Sequence, residues 1–574
     1  MKKSTKAVSL MLSALMAFGG FAACGKKGGK PQVDEKTIVV KCRRAGFGTD
    51  WLYELKGHFE RAYASEGYKV HIMTPDNSIK DGTLINELYL GYETTGVDLY
   101  ISSGATPDQV GELGDYGVLV EEIDEIVYNT PAISYDGTEE DVLISEKISA
   151  DILPYMTDAT GKVYAYNWAS TSGGLVVNTR KLARYGIEMP KTTNEMFDAF
   201  EQIFLGNDKQ PGSIETGTYP ITYVSGTNGY GLVFLYAMVA QYEEGFYDKF
   251  WSFQEDVEGE KVNLSDGAAR DLYNHPAIKE MLTVAHQTFD INLAAPGSLS
   301  NTVDQAQAKV MGDNDDAVFM FNGDWMLNEV KLNYPSKLHD IDFINFPVVS
   351  ALGTKLFGGD TIHNLSAAQC DELLSYIIGL VDANKSIEEI VADVQANKGI
   401  TISEAEAADV ARARGVTYSR GVEHVAYVTK DTTKKDIVSL FLRMMSSNDF
   451  GETFLRSANG SSPYYSSENT NSEYKFVRNA SKIPANRYFS LVSTFGGPRG
   501  YRKQLGLTQF FTTVGHIPEN ITSKSKATIY TEEGTKLSGV TTAVYSAAAA
   551  DMIKGEVDNL AKNWDSYKET AGLK

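Results

Sequence analysis

Thiol and metal chemistry have little to build on in this chain, whose 574 residues include only three cysteines, Cys24, Cys42 and Cys370. No C-x-x-C pair occurs, which excludes a disulfide framework and a thiolate zinc site. The eight histidines are scattered, and none stands at metal-ligand spacing from another. Asp313-Asn314-Asp315-Asp316 lacks the spaced ligands of an EF-hand loop and reads as a solvated turn. G-x-S-x-G, H-E-x-x-H and G-x-x-x-x-G-K-[ST] are all missing, so no nucleophile elbow, zincin helix or phosphate cradle is present. Gly46-Phe47-Gly48-Thr49-Asp50-Trp51 imitates a dinucleotide fingerprint without its third glycine and reads as a turn into a helix. No cofactor is expected.

Basic residues are also scarce: Lys+Arg is 53 against 75 Asp+Glu, a net charge of −22. Such a surface repels phosphate backbones, which argues against nucleic acid as a partner. Hydrophobic residues at 43% and charged residues at 22% are those of a soluble globular protein, not of a multi-span membrane protein. At roughly 150 residues per domain, the length points to two to four lobes.

The one long apolar run lies at the start. Met1-Lys2-Lys3-Ser4-Thr5-Lys6 is a basic n-region, and Ala7 to Ala23 is apolar. The segment ends Phe21-Ala22-Ala23-Cys24-Gly25, a secretory signal with a small-residue cleavage site. It resembles the lipobox of bacterial lipoproteins, with Phe21 where Leu is usual. The resemblance implies a signal peptide over 1–23 and a diacylglycerol-modified Cys24. The glycine- and lysine-rich segment that follows suits a tether over 24–36, against an anionic membrane face. An uncleaved anchor helix is the competing reading.

Beyond the tether, Thr37–Cys42, Tyr68–Met73 and Val97–Ser102 read as strands. Trp51, Leu55, Phe59 and Ala62 recur at helical spacing, and 81–92 suggests a second helix. Alternation of this kind implies a largely parallel sheet, whose ligands lie beyond the strands' carboxyl ends, here Gly46–Asp50 and Ser102–Thr106. Ser386-Ile387-Glu388-Glu389 and Ser403-Glu404-Ala405-Glu406 are capping boxes, with Gly399 and Gly415 at helix stops. Together they predict two short surface helices inserted over 386–415.

Three stretches carry a family resemblance. The first is Val163-Tyr164-Ala165-Tyr166-Asn167-Trp168 with Gly174–Leu182, Tyr185-Gly186-Ile187 and Pro190-Lys191-Thr192. The second is Ala306–Met311 with Ala317-Val318-Phe319-Met320-Phe321-Asn322-Gly323-Asp324-Trp325-Met326. The third is Phe357-Gly358-Gly359-Asp360-Thr361-Ile362, followed by Ile437–Met445 and Ala458-Asn459-Gly460-Ser461-Ser462-Pro463. In this order they resemble the extracellular solute-binding proteins of ABC importers, the carbohydrate-binding group typified by the maltose-binding protein. Asn167 stands where that family's hinge has proline, and the tail after Pro463 is longer than the family's.

The resemblance implies an α/β, two-lobe periplasmic-binding-protein-like fold with a hinge and an interfacial ligand cleft. The expected N-terminal lobe is 37–166 and 359–458, the latter carrying the insertion; the expected C-terminal lobe is 167–358 and 459–574. Trp325 would be the stacking platform, Asp324 its polar companion, and Trp168, Ser170 and Thr171 would line the hinge. A core Trp325 and a merely packing Trp168 are the competing readings. Ser102, Ser103 and Thr106 would face the ligand as small hydroxyls. Asn228 and Tyr230 match a family loop loosely and also fit an ordinary Asn-Gly turn. Asp360 would either reach the cleft or cap a helix. Cys42 and Cys370 are expected as buried thiols.

The implied function is a non-enzymatic, membrane-tethered monomer that closes on a carbohydrate, an oligosaccharide, and delivers it to an ABC transporter permease. The implied location is the extracytoplasmic face of the cell membrane, with lipid on Cys24. The alternatives are an oligopeptide-binding lipoprotein and a surface glycoside hydrolase, the latter because paired carboxylates need not be close in sequence.

Overall fold

The computed structural model describes residues 31–43, 46–73, 81–102, 119–148, 152–153, 156–157, 162–205, 217–224, 229–290, 293–313, 316–418, 424–485, 490–492, 500–507, 510, 514 and 540–573. The signal segment and Cys24 lie outside the described residues. The strands are β1 (Thr37–Cys42), β2 (Lys69–Met73), β3 (Leu99–Ile101), β4 (Pro131–Ile133), β5 (Glu139–Leu143), β6 (Tyr166–Asn167), β7 (Gly173–Asn178) and β8 (Tyr219–Ile221). They continue with β9 (Gln254–Val257), β10 (Glu260–Asn263), β11 (Ala317–Gly323), β12 (Ile341–Ile344), β13 (Val416–Tyr418), β14 (Val425–Val428) and β15 (Ser490–Val492).

A sheet of order β2-β1-β3-β14-β6 organises the first lobe. β1 runs parallel to both β2 and β3, and Ile38, Val39 and Val40 are fully buried. A β-branched run covered on both faces is what an inner strand of a parallel sheet requires. Helix Asp50–Ala62 turns Trp51, Leu52, Leu55 and Phe59 onto that core, a stripe with the helical period. The next helix runs from Asp81 to Thr95, longer than its apolar pattern predicts, and bends at Gly91, where φ is +69°. β14 arrives late in the chain and pairs antiparallel with both β3 and β6.

The second lobe is built on a sheet of order β12-β7-β11-β8. Gly174 of β7 is obligatory, since a Cβ there would sit 2.6 Å from the Ile344 carbonyl and 2.5 Å from Phe343 Cζ. One sheet face carries Leu175, Val177, Phe319 and Phe321 into a large core; the other carries Val176, Met320 and Phe343 into a smaller one. Helix Lys475–Ala485 covers the smaller core with Phe476, Val477, Ala480 and Ile483. The long helix Val540–Thr570 covers the larger one with Tyr545, Ala549, Ile553, Leu560 and Trp564.

The distribution of residues between the cores corrects one expected boundary. Residues 359–415 do not return to the first lobe. Cys370, Leu374, Ile378, Ile390, Val394, Val410 and Ala411 all pack in the larger core of the second. Phe357–Ile362 is a tight turn closed by a bridge between Gly358 and Leu365, not a crossing. Both capping boxes form, and Gly399 takes φ +69° at the stop between helices Ile387–Lys398 and Glu404–Gly415. These helices are half core, not surface additions, and Arg414 fixes the second with two bonds to Asp382, 2.8 and 2.9 Å. Cys42 and Cys370 are buried thiols in different lobes, so they do not pair.

Candidate functional site

Among the described residues the chain passes between the lobes three times. The first passage joins β6 to β7 through 168–172. The second joins β13 to β14. The third runs from Tyr464, in the first lobe's core, to helix Lys475–Ala485. Hydrogen bonds tie the passages into one seam. Trp168 N donates to the His424 carbonyl at 2.9 Å, Ser170 N donates to the Ser461 carbonyl at 2.8 Å, and Thr417 Oγ1 donates to the Gly173 carbonyl at 2.5 Å. A narrow multi-strand seam between two separately packed bodies is the construction of a hinge.

Several sequence-selected residues converge on this seam. Trp168 is 1% exposed, stacked on Trp51 at 5.2 Å, and its indole N–H donates to the Ser102 carbonyl at 2.7 Å. Edge contacts with Phe47, His424 and Phe454 complete its surroundings, which is the packing reading of this residue within the hinge seam. Ser102 is buried and its hydroxyl oxygen has no hydrogen-bond partner. Thr171 is buried and Ser170 half-buried. Asp324 and Ser172 are doubly joined: Asp324 N donates to the Ser172 carbonyl at 3.0 Å, and Ser172 N donates to Asp324 Oδ2 at 3.2 Å. Asp324 Oδ1 is buried without a partner. Burial pushes the Asp324 carboxyl up to about 8, against the pull of the backbone N–H groups that bond it.

Trp325 projects from the end of β11 and is 5% exposed, yet it packs with the first lobe's core. Its neighbour across the seam is Gly46, whose hypothetical Cβ would lie 2.9 Å from Trp325 Cβ and Cδ1. Phe47 follows, in edge contact with Trp168 at 6.1 Å and with His424 at 5.7 Å. On the same side Asn459 Nδ2 donates to Asn328 Oδ1 at 3.0 Å, and Asn328 Nδ2 donates to the Ala458 carbonyl.

Other expected residues fall elsewhere. Asp360 is exposed at a cavity of about 520 Å³ within the second lobe, beside Asn194, Tyr242, Glu280 and Lys355. It stands there because 359–415 stays in that lobe, so it neither reaches the seam nor caps a helix. Tyr230 lies in the opening turn of helix Gly229–Tyr242, with its side chain outside the described residues, as are Ser103, Thr106 and Asn228. Reasoning from residue type missed Asn328 and His424, for which no local signal exists, whereas Asn459 lies in the Ala458–Pro463 stretch that carries the resemblance. Gly46 and Phe47 belong to the expected Gly46–Asp50 loop, at the carboxyl end of β1 where a parallel sheet places ligands. Among the described residues no cluster of His, Cys, Asp and Glu could hold a metal, and no helix is long and apolar enough to cross a membrane.

This architecture matches solved structures over about nine-tenths of the chain. A probable secreted solute-binding lipoprotein from Streptomyces coelicolor superposes with a TM-score of 0.52 at 13% identity, over 90% of this chain and 99% of its own. The chain has the two-lobe periplasmic-binding-protein fold. The apo form of RafE from Streptococcus pneumoniae gives 0.51 at 11% identity, over 91% and 100%. The cyclic α-maltosyl-1,6-maltose binding protein from Arthrobacter globiformis gives 0.50 at 11% identity, over 91% and 99%. No protein-family model and no curated protein sequence matches the chain. In this fold the seam just described joins the two lobes.

Proposed function

We propose that the protein is an extracytoplasmic, lipid-anchored receptor that closes its two lobes on an oligosaccharide and presents it to an ABC transporter permease. The observation that carries this reading is the pairing, at one seam, of a large aromatic side chain with unpartnered buried polar atoms. Asp324 Oδ1 and Ser102 Oγ lack partners that buried oxygens ordinarily have. A sugar answers both needs, with flat C–H faces for Trp325 and hydroxyl groups for the two oxygens. The fold's likeness to a cyclic maltosyl-maltose binding protein supports the same ligand class. Closure requires no covalent step, and the receptor's own residues only bind and orient.

A thermal-shift screen of the chain from residue 25 against mono-, oligo- and polysaccharide fragments and peptides tests the proposal. A ligand confined to the folded state stabilises it by about 2.7 kcal/mol at a hundredfold excess over its dissociation constant. An oligosaccharide is expected to raise Tm and to be recovered unchanged. A shift only with peptides would replace the ligand class, and a consumed sugar would make the protein a hydrolase.

A further inference from the structure

The cavity of about 520 Å³ in the second lobe stands apart from the seam. Helix Thr193–Leu205 opens beside it with Asn194, and helix Gly229–Tyr242 ends at it with Tyr242. Helix Pro276–Thr288 contributes Glu280, helix Ala351–Phe357 contributes Thr354 and Lys355, and the turn that follows contributes Asp360. The volume is that of a small-molecule site. Its charges are unbalanced. Lys355 is the one basic residue among the described lining residues, and it is already engaged. Its Nζ donates to the Tyr242 carbonyl at 2.9 Å, pairs with Glu243 at 3.2 Å and stands 4.8 Å from the Tyr242 ring centroid. Glu280 is half-buried, and its carboxylate makes no hydrogen bond or ion pair with any described residue. Burial pushes that carboxyl above the usual carboxylate range. Asp360 is exposed and equally unpaired among the described residues.

Any occupant of this cavity takes Glu280 further from water. A neutral occupant would leave the carboxylate more poorly solvated, and an anion would add repulsion, whereas a cation replaces the lost solvation. The cation is not a metal ion, because no group of His, Cys, Asp and Glu among the described residues could hold one. We propose that the cavity is a second binding site, separate from the seam, for a small organic molecule whose primary ammonium group pairs with Glu280 and is attracted by Asp360. One face of Tyr242 is already taken by Lys355. Recognition therefore rests on N–H donation to a carboxylate rather than on an aromatic cage, which favours a primary over a quaternary ammonium. The Asn194 amide and the Thr354 and Tyr242 hydroxyls make no hydrogen bond with any described residue, which leaves them for polar groups on the rest of the ligand. Every described lining residue belongs to one lobe, so the site depends neither on how the lobes stand nor on the oligosaccharide-receptor reading.

Isothermal titration calorimetry on the full chain tests this with two amines, putrescine and glucosamine, against their neutral counterparts, butanediol and glucose. At least one amine is expected to bind more tightly than its counterpart. Glu280→Gln is expected to weaken that binding about tenfold. Asp360→Asn is expected to weaken it severalfold, and Lys355→Gln to tighten it by removing a competing positive charge. Opposite signs on one cavity wall distinguish charge pairing from a general loss of fold. Amines that bind no better than their neutral counterparts would overturn the ammonium assignment, as would weakening by Lys355→Gln. No binding of either amine at millimolar concentration would overturn the site itself. Binding lost in Asp324→Asn and unchanged in Glu280→Gln would move the amine to the seam and overturn it equally. Should Glu280→Gln fail to fold, Asp360→Asn decides, because that position is exposed. Amine binding with this pattern, in a protein whose Tm no oligosaccharide raises, would uphold the cavity site and sink only the seam's ligand assignment.

Discussion

Asp324 shows how one buried side chain can carry a measurable dependence on pH. Its carboxyl is 4% exposed and raised to about 8, from an ordinary value near 4 in the unfolded chain. The folded protein therefore binds more protons at this site than the unfolded one between those limits. Its contribution to stability is fully present below about pH 4 and is lost as pH rises toward 8. Asp324→Asn keeps an acceptor for Ser172 N and cannot ionise. The Tm difference between the parent and Asp324→Asn is expected to move against the parent from pH 5 to pH 9. A difference independent of pH would mean that this carboxyl already meets water. Ser102, by contrast, was legible as a neighbour of a cleft, and Trp168 as either a cleft residue or packing between hinge strands. Residue type announces hydrogen-bonding capacity, not which face another ring already occupies.

At the scale of elements, the sequence was most readable where a local rule suffices. The buried strand Thr37–Cys42, the stripe Trp51-Leu55-Phe59 and both serine capping boxes follow from composition and spacing, and all three are present. Failure came where the decision was not local. Phe357–Ile362 has the glycines of a passage between lobes, but Gly358 and Leu365 close it as a turn, and the chain changes lobes only after Tyr418. Nothing in a short window separates a strand that leaves a lobe from one that ends within it. The C-terminal tail is similar. Its helix has apolar residues at Tyr545, Ala549 and Ile553, at four-residue spacing, but its dock is formed by helices Asp266–Tyr273 and Pro276–Thr288, far away in sequence. Arg502 is fully buried, with its guanidinium 3.7 Å from the Phe253 ring centroid and 4.5 Å from that of Phe250. It donates to the Tyr273 hydroxyl at 2.8 Å and to the Phe250 carbonyl at 3.1 Å. Arg502→Ala is expected to cost about 3 kcal/mol in chemical denaturation, through a cavity and lost cation–π contacts. Arg502→Lys is expected to recover only part of this, because a point charge does not stack as a plane does.

For the whole molecule, two separately packed lobes joined at one seam fit the proposed receptor. Tethering is separable from folding, because the acylated residue would precede every element of both cores. Cys24→Ala is therefore expected to release the protein from the membrane fraction into the soluble fraction, with unchanged Tm and circular dichroism. Retention on the membrane would instead support an uncleaved anchor helix. The large-scale fold was legible because three weak motifs occur in one order along the chain. The lobe boundaries were not, since they depend on which core each late segment finds.

The sheet order of the first lobe has a consequence for how the protein is made. β14 lies between β3 and β6, although it is synthesised long after both. A chain emerging from its N-terminus cannot complete its first lobe until residue 428 has appeared, by which time most of the second lobe has already been delivered. The earlier lobe therefore finishes no sooner than the bulk of the later one. An exported chain of this design spends much of its passage with an open strand position in its leading half, a vacancy that another extended segment could fill. The demand placed on the cell is protection of that gap during export, and it arises from the order of five strands rather than from any single residue.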